Sequence, residues 1–209
     1  GGNLGCTQLG RVEFAKLGGK VNTDFIDNVG GVDCSDNEVN IKILLNALVN
    51  NGDLTVKQRN AMLYEMTNDV ADIVLDDCYR QTQSISITDQ ANVAQIKEQL
   101  RFIHTLERDG HLNRELEYIP TDEEFSERIA DGVGLTRPEL SVLISYAKMV
   151  LKEELNQAAI TDNAYYQKFL VGSFPQLLQD KYQAQMQQHP LRGEIIATKL
   201  TNYMINDMG

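Results

Sequence analysis

From Ser35 to the C-terminus, apolar residues recur at helical spacing almost without interruption, and that periodicity restricts the chain to a mainly helical fold. Ile41, Leu44, Leu45 and Leu48 stand at offsets 0, 3, 4 and 7, which gives a helix one apolar stripe. Ser35-Asp36-Asn37-Glu38 ahead of them has the S-x-x-E form of a capping box and predicts that this helix begins there. Thr55 and Gln58 form a second pattern of that kind, opening a helix with Met62, Met66, Val70, Ile73 and Val74 on one face. Val93, Ile96, Leu100, Ile103 and Leu106 mark a third helix, stopped near Gly110. The polar stretch 81–90 between the two reads as a linker or domain edge. Thr121 and Glu124 cap another helix, ending at Asp131-Gly132. Thr136-Arg137-Pro138-Glu139 combines a capping residue, a first-turn proline and an acid at the third helical position. Shorter helices around 175–182 and 195–204 complete the chain.

Residues 1–35 follow a different regime, rich in Gly and Asn. Gly1-Gly2-Asn3-Leu4-Gly5 is a glycine turn. Thr7 to Leu17 reads as a short helix stopped by Gly18-Gly19, Lys20 to Ile26 as a short strand, and Asp27 to Val32 as a loop with two consecutive glycines. The expectation is a mainly α chain: a helical bundle preceded by a short α/β remnant. A glycine turn with no strand ahead of it reads as a start in the middle of a fold.

Composition removes several classes. The net charge is −11 and no block of Lys or Arg occurs, so the basic footprint of a nucleic-acid binder is missing. No stretch reaches the roughly 18 apolar residues of a membrane span, and the N-terminus lacks the basic start and apolar run of a signal peptide. Three cysteines, odd in number and widely spaced, suit a reducing cytosol, so a cytoplasmic location is expected. His104, His111 and His189 show no metal-ligand spacing, and no metal is expected.

Taken singly, the candidate motifs favour plain readings. The first glycine cluster is what an ordinary tight turn uses. Ser35 at a helix start favours an anion, because free N–H groups and the helix dipole meet there, yet it also simply caps its own helix. Asp76-Asp77 and Asp122-Glu123-Glu124 read as solvated charge near helix ends, Met62 and Met66 as core, and Cys34 as an unactivated thiol.

Their order and spacing carry more. Gly1-Gly2-Asn3, then a helix and strand, then Asn28-Val29-Gly30-Gly31-Val32 with Ser35 three residues beyond Val32, resembles the end of the cofactor domain in glutamate dehydrogenases. The wording from Asn22 to Lys42, and Gly134-Leu135-Thr136-Arg137-Pro138-Glu139-Leu140-Ser141 downstream, is similar to the large bacterial NAD-specific subclass. The resemblance covers essentially the whole chain. Val29, Asp33, Cys34, Asp36 and Asn37 depart from the smaller enzymes of the family.

The resemblance implies a piece of an enzyme that oxidatively deaminates L-glutamate to 2-oxoglutarate and ammonia while reducing NAD. Asn3 and Asn28 would lie beside the nicotinamide–ribose end, with Gly2, Gly30 and Gly31 as cofactor-contacting backbone. Val32 and Ser35 would line the substrate pocket, Ser35 hydrogen-bonding the side-chain carboxylate. The catalytic Lys and Asp and the phosphate-binding turn would lie upstream, so this piece holds no catalytic residue and is expected to be inactive alone. Residues 1–85 would finish the NAD-binding domain and 86–209 would form a helical C-terminal domain, in a homo-oligomeric enzyme. The rival reading is a non-catalytic helical assembly or interaction module.

Overall fold

The computed structural model describes residues 5–158 and 160–208. Among them are ten α-helices and two short 3-10 turns, and no β-strand. The chain is mainly α, as the periodicity predicts.

Helix α1, Gln8–Lys16, opens on Thr7, whose hydroxyl accepts from the amide of Gly10 at 3.1 Å, and closes before Gly18, which has φ 90°. The strand expected over Lys20–Ile26 does not form. The chain runs from Gly19 to Thr23 without regular structure and then enters the four-residue helix α2, Asp24–Asp27. The physical reason is Arg11, 6% exposed, whose guanidinium binds Asp24 at 3.1 Å and Asp27 at 2.9 Å. Residues three apart point to opposite faces of a strand but share a helix face, so a single cation can gather both carboxylates only if the segment curls.

Helix α3, Val29–Asn50, corrects two further expectations. The glycine loop over Asp27–Val32 is absent, since Gly30 and Gly31 lie in the first turn of α3, and neither has a positive φ. Ser35 is therefore not the N-cap. It sits a turn and a half inside the helix, where its hydroxyl donates to the carbonyl of Gly31 at 3.1 Å in place of the capping bond.

Helix α4, Val56–Glu65, has the full capping box of Thr55 and Gln58. Helix α5 then runs unbroken from Thr67 to Arg108, 42 residues, and absorbs the stretch 81–90. The hydroxyls there do not pull the backbone out of the helix. Ser86 and Thr88 donate to carbonyls four residues back, at 2.9 and 3.0 Å, and buried Ser84 donates to the carbonyl of Ile205. Ile85, fully buried with Ile26 and Ile144, anchors the turn. Helices α6, Asp122–Asp131, and α7, Arg137–Gln157, follow, α6 ending on left-handed Gly132. Helices α8, Gln167–Val171, α9, Gln176–Met186, and α10, Arg192–Met208, close the chain.

The helices form two compact units, each discontinuous in sequence. The first takes residues 1–28, 80–151 and 204–209; the second takes 29–79 and 152–203. The first is centred on Ile96, Ile103, Leu106, Phe125, Leu140 and Leu143. The second is centred on Leu44, Leu45, Leu48, Met66, Phe174 and Leu178. Among the described residues no helix is long and apolar enough to cross a membrane.

Candidate functional site

The start of α3 gathers most of the residues singled out from sequence. Gly31, Val32, Ser35 and Val39 fall within about 100° of one another around the helix axis. All four are exposed, Val32 by 59%. Gly30 points the other way, and a side chain there would meet the thiol of Cys78 on α5 at 3.5 Å, whereas one at Gly31 would meet nothing within 4 Å. The first-turn amides of a helix have no acceptor within it, so this end carries free donors and partial positive charge. The anion-favouring end thus lies six residues before Ser35, with Ser35 still on its open face. Asn28 is half-buried and ends α2 as its C-cap. Gly2 and Asn3 lie outside the described residues.

Behind that face is a cluster that the sequence did not reveal. A cavity of about 240 Å³ in the second unit is lined by Asp33 and Asn37 of α3, Asp77 of α5 and Lys199 of α10, among others. Lys199 pairs with Asp77 at 2.7 Å, and the Asn37 carboxamide donates to the Asp33 carbonyl at 2.9 Å and to its Oδ1 at 3.3 Å. The Asp33 Oδ2 is buried without a hydrogen-bond partner. Burial first, and then the neighbouring Asp77 charge, push the Asp33 carboxyl up to about 6, against a smaller opposing pull from Lys199. Burial likewise raises the Cys78 thiol.

A raised carboxyl stabilises the fold only while protonated: its contribution is complete below about 3.8 and is lost as pH rises through about 6. A displacement of this size corresponds to about 3 kcal/mol for a fully desolvated group. Solvent screening of a partly exposed carboxyl brings that to about 1–2 kcal/mol. Asp33→Asn should therefore stabilise the chain by that amount at pH 8 and by nothing at pH 3.5, measured by urea unfolding at both. An equal effect at the two pH values would contradict the assignment.

The remaining candidates take structural roles. Asp77 lies inside α5, not near a helix end, and Asp122 pairs with Arg114 at 2.7 Å in the first turn of α6. Met62 and Met66 are core. His189 is buried; its Nδ1 accepts from the Leu191 amide and its Nε2 donates to the Asn40 carbonyl, so the ring is neutral, and burial pushes its pKa below the usual value. Among the described residues no three His, Cys, Asp or Glu side chains are grouped to hold a metal. The Gly134-to-Ser141 motif builds a fold clamp. Glu139, 1% exposed, accepts from both terminal nitrogens of Arg128 and from the amide and hydroxyl of Thr136, while Asn92 bonds both the amide and the carbonyl of Leu135.

Residues 1–88 match the family described as bacterial NAD-glutamate dehydrogenase, catalytic domain, and residues 132–209 match that described as glutamate dehydrogenase, C-terminal. The whole chain is 52% identical to the NAD-specific glutamate dehydrogenase of Pseudomonas aeruginosa, 50% to that of Halomonas elongata and 41% to that of Mycobacterium tuberculosis. The chain belongs to the bacterial NAD-glutamate dehydrogenase family. It spans 13% of the length of each of these relatives. The α3 face and the Asp33 cavity lie within the catalytic-domain match save for the cavity wall from Lys152 onward, and the Glu139 clamp lies largely in the C-terminal match.

Proposed function

We propose that this chain is one segment of a cytoplasmic, homo-oligomeric enzyme that converts L-glutamate to 2-oxoglutarate and ammonia while reducing NAD, and that it supplies one wall of the active site. The observation that carries this reading is the identity along its entire length to NAD-specific glutamate dehydrogenases, together with the catalytic-domain match over residues 1–88. Residues 1–85 then belong to the NAD-binding domain, whose Rossmann-like sheet lies in the rest of the enzyme, and 86–209 to a helical C-terminal domain. No G-x-G-x-x-G turn occurs in the 209 residues, and we expect no turnover by the isolated segment.

In this reading Asn3 and Asn28 flank the nicotinamide–ribose end of NAD, with Gly2 and Gly31 offering close backbone and Gly30 its amide. Val32 and Ser35 face the substrate. The first-turn amides of α3 and its dipole favour the substrate's side-chain carboxylate, and the Ser35 hydroxyl turns from the Gly31 carbonyl to donate to it.

A hydrogen bond to a charged group contributes about 1.5–3 kcal/mol, and part of that is returned when the bond to Gly31 is given up. Ser35→Ala in the full-length enzyme should therefore raise the glutamate KM about tenfold with the NAD KM unchanged. Ser35 is exposed and alanine is the better helix former, so stability should not fall. A glutamate KM equal to wild type removes Ser35 from the pocket.

A further inference from the structure

Asn22 is 8% exposed, and each of its polar atoms is engaged. Its amide donates to Oδ2 of Asp27 at 3.1 Å and its Nδ2 to Oδ1 at 2.8 Å. Its carbonyl accepts from Nη1 of Arg11 at 3.0 Å, and its Oδ1 accepts from Nε of Arg137 at 3.3 Å. Arg137 is held in turn by Ser86, whose hydroxyl accepts from Nη1 at 3.1 Å, and stands 3.7 Å from Asp89. It is the first residue of α7, the turn fixed by Glu139, Thr136 and Arg128. Both oxygens of Asp27 are thus occupied, and the next residue is Asn28, the C-cap of α2.

The geometry points to Arg137 as a positioning residue for the cofactor: by pinning the Asn22 carboxamide it orients Asp27 and so fixes the backbone at Asn28. This rests on the reading that Asn28 contacts the nicotinamide–ribose end. A carboxamide presents a donor on one side and an acceptor on the other. With Arg137 donating to the oxygen, the amide nitrogen has to face the Asp27 carboxylate. Without that donor the buried carboxamide oxygen is left unpaired, the group is held only by its Nδ2–H···Oδ1 bond, and the Asp27 carboxylate beside Asn28 is less sharply placed. Arg137 lies in the part of the chain that matches the C-terminal family region, whereas Asn22 and Asp27 lie in the catalytic-domain match. The helical C-terminal region would then take part in placing the cofactor, which neither match describes.

The test uses the full-length enzyme and compares Asn28→Ala, Arg137→Gln and Arg137→Lys. Small displacements of a positioning group cost up to about a hundredfold, and for this indirect one the expected result is a rise of about fivefold to tenfold in NAD KM for Arg137→Gln. The glutamate KM should stay at wild type. Lysine keeps a cationic donor at that position, so Arg137→Lys should recover part of the loss. If Arg137→Gln fails to fold, Ser86→Ala, which removes only one anchor of Arg137, should give a smaller rise in NAD KM. A rise for Asn28→Ala without one for either Arg137→Gln or Ser86→Ala overturns the inference alone. An unchanged NAD KM for Asn28→Ala overturns the cofactor reading and the inference with it. Equal losses in both KM values with a lowered Tm would make Arg137 merely structural and also overturn it.

Discussion

Replacing Glu139 with alanine should lower the unfolding free energy of the chain by about 3–5 kcal/mol, the range for removing one partner of a buried ion pair. The carboxylate accepts four hydrogen bonds at 2.6 to 2.9 Å, two of them from Arg128. Its loss leaves the Arg128 guanidinium, with 15% of its side chain exposed, beside no carboxylate, and leaves the Thr136 amide without its acceptor. Hydrogen bonds to a charged group are worth more than neutral ones, so Glu139→Gln, which keeps the shape, should fall between wild type and alanine. Urea unfolding with a common m-value would measure both. A loss below about 1 kcal/mol for alanine would mean that water reaches Arg128 freely and that the clamp is a surface pair.

Leu45→Ala should be about as costly, roughly 3–5 kcal/mol. Leu45 is fully buried in the second unit, among Leu44, Leu48, Met66, Phe174 and Leu178. The penalty has two parts: the transfer free energy of the lost methyl and methylene groups, and the cavity left where rigid neighbours cannot close in. Methionine is the adaptable neighbour here, and Met62 and Met66 are the side chains most able to fill the gap. A measured loss at the low end of the range would identify that relaxation, while a loss below about 1 kcal/mol would show that the leucine stripe of α3 does not centre this core. The same unfolding experiment serves.

The elements legible in the sequence are those fixed by their own neighbours. Ile41, Leu44, Leu45 and Leu48 are all buried, and the Thr55–Gln58 and Thr121–Glu124 boxes form in full, because periodicity and capping act within a turn or two. Lys20–Ile26 was illegible as a curl because its cause, Arg11, lies on another helix. The stretch 81–90 reads as a linker because serine and threonine usually compete with the helix backbone; here their hydroxyls bond carbonyls within α5 and Ile85 is buried. The start of α3 lies six residues ahead of Ser35 because the cost of a glycine in a helix, about 1 kcal/mol, is easily met in a 22-residue helix that buries Ile41, Leu44, Leu45 and Leu48. The candidate site was half legible. Gly31, Val32 and Ser35 are adjacent in sequence and share a face, whereas Asp77 and Lys199, 122 residues apart, have nothing local to announce their pairing beside Asp33.

Two glycines at the entrance of α3 also make that helix uneven along its length. Each costs about 1 kcal/mol relative to alanine, and the turn they occupy is stitched by few of the bonds that hold the leucine stripe further on. The opening free energy therefore climbs steeply from Gly30 toward Leu45, and the outermost turn can fray while the remainder stays wound. A carboxylate bound to its amides would have to keep that turn wound, so part of the binding free energy would be used in closing the end of a helix. Affinity for an anion at this end of α3 would thereby be tied to helix propensity as well as to charge, so that replacing Gly30 would act through the winding of the turn and not only through its own amide.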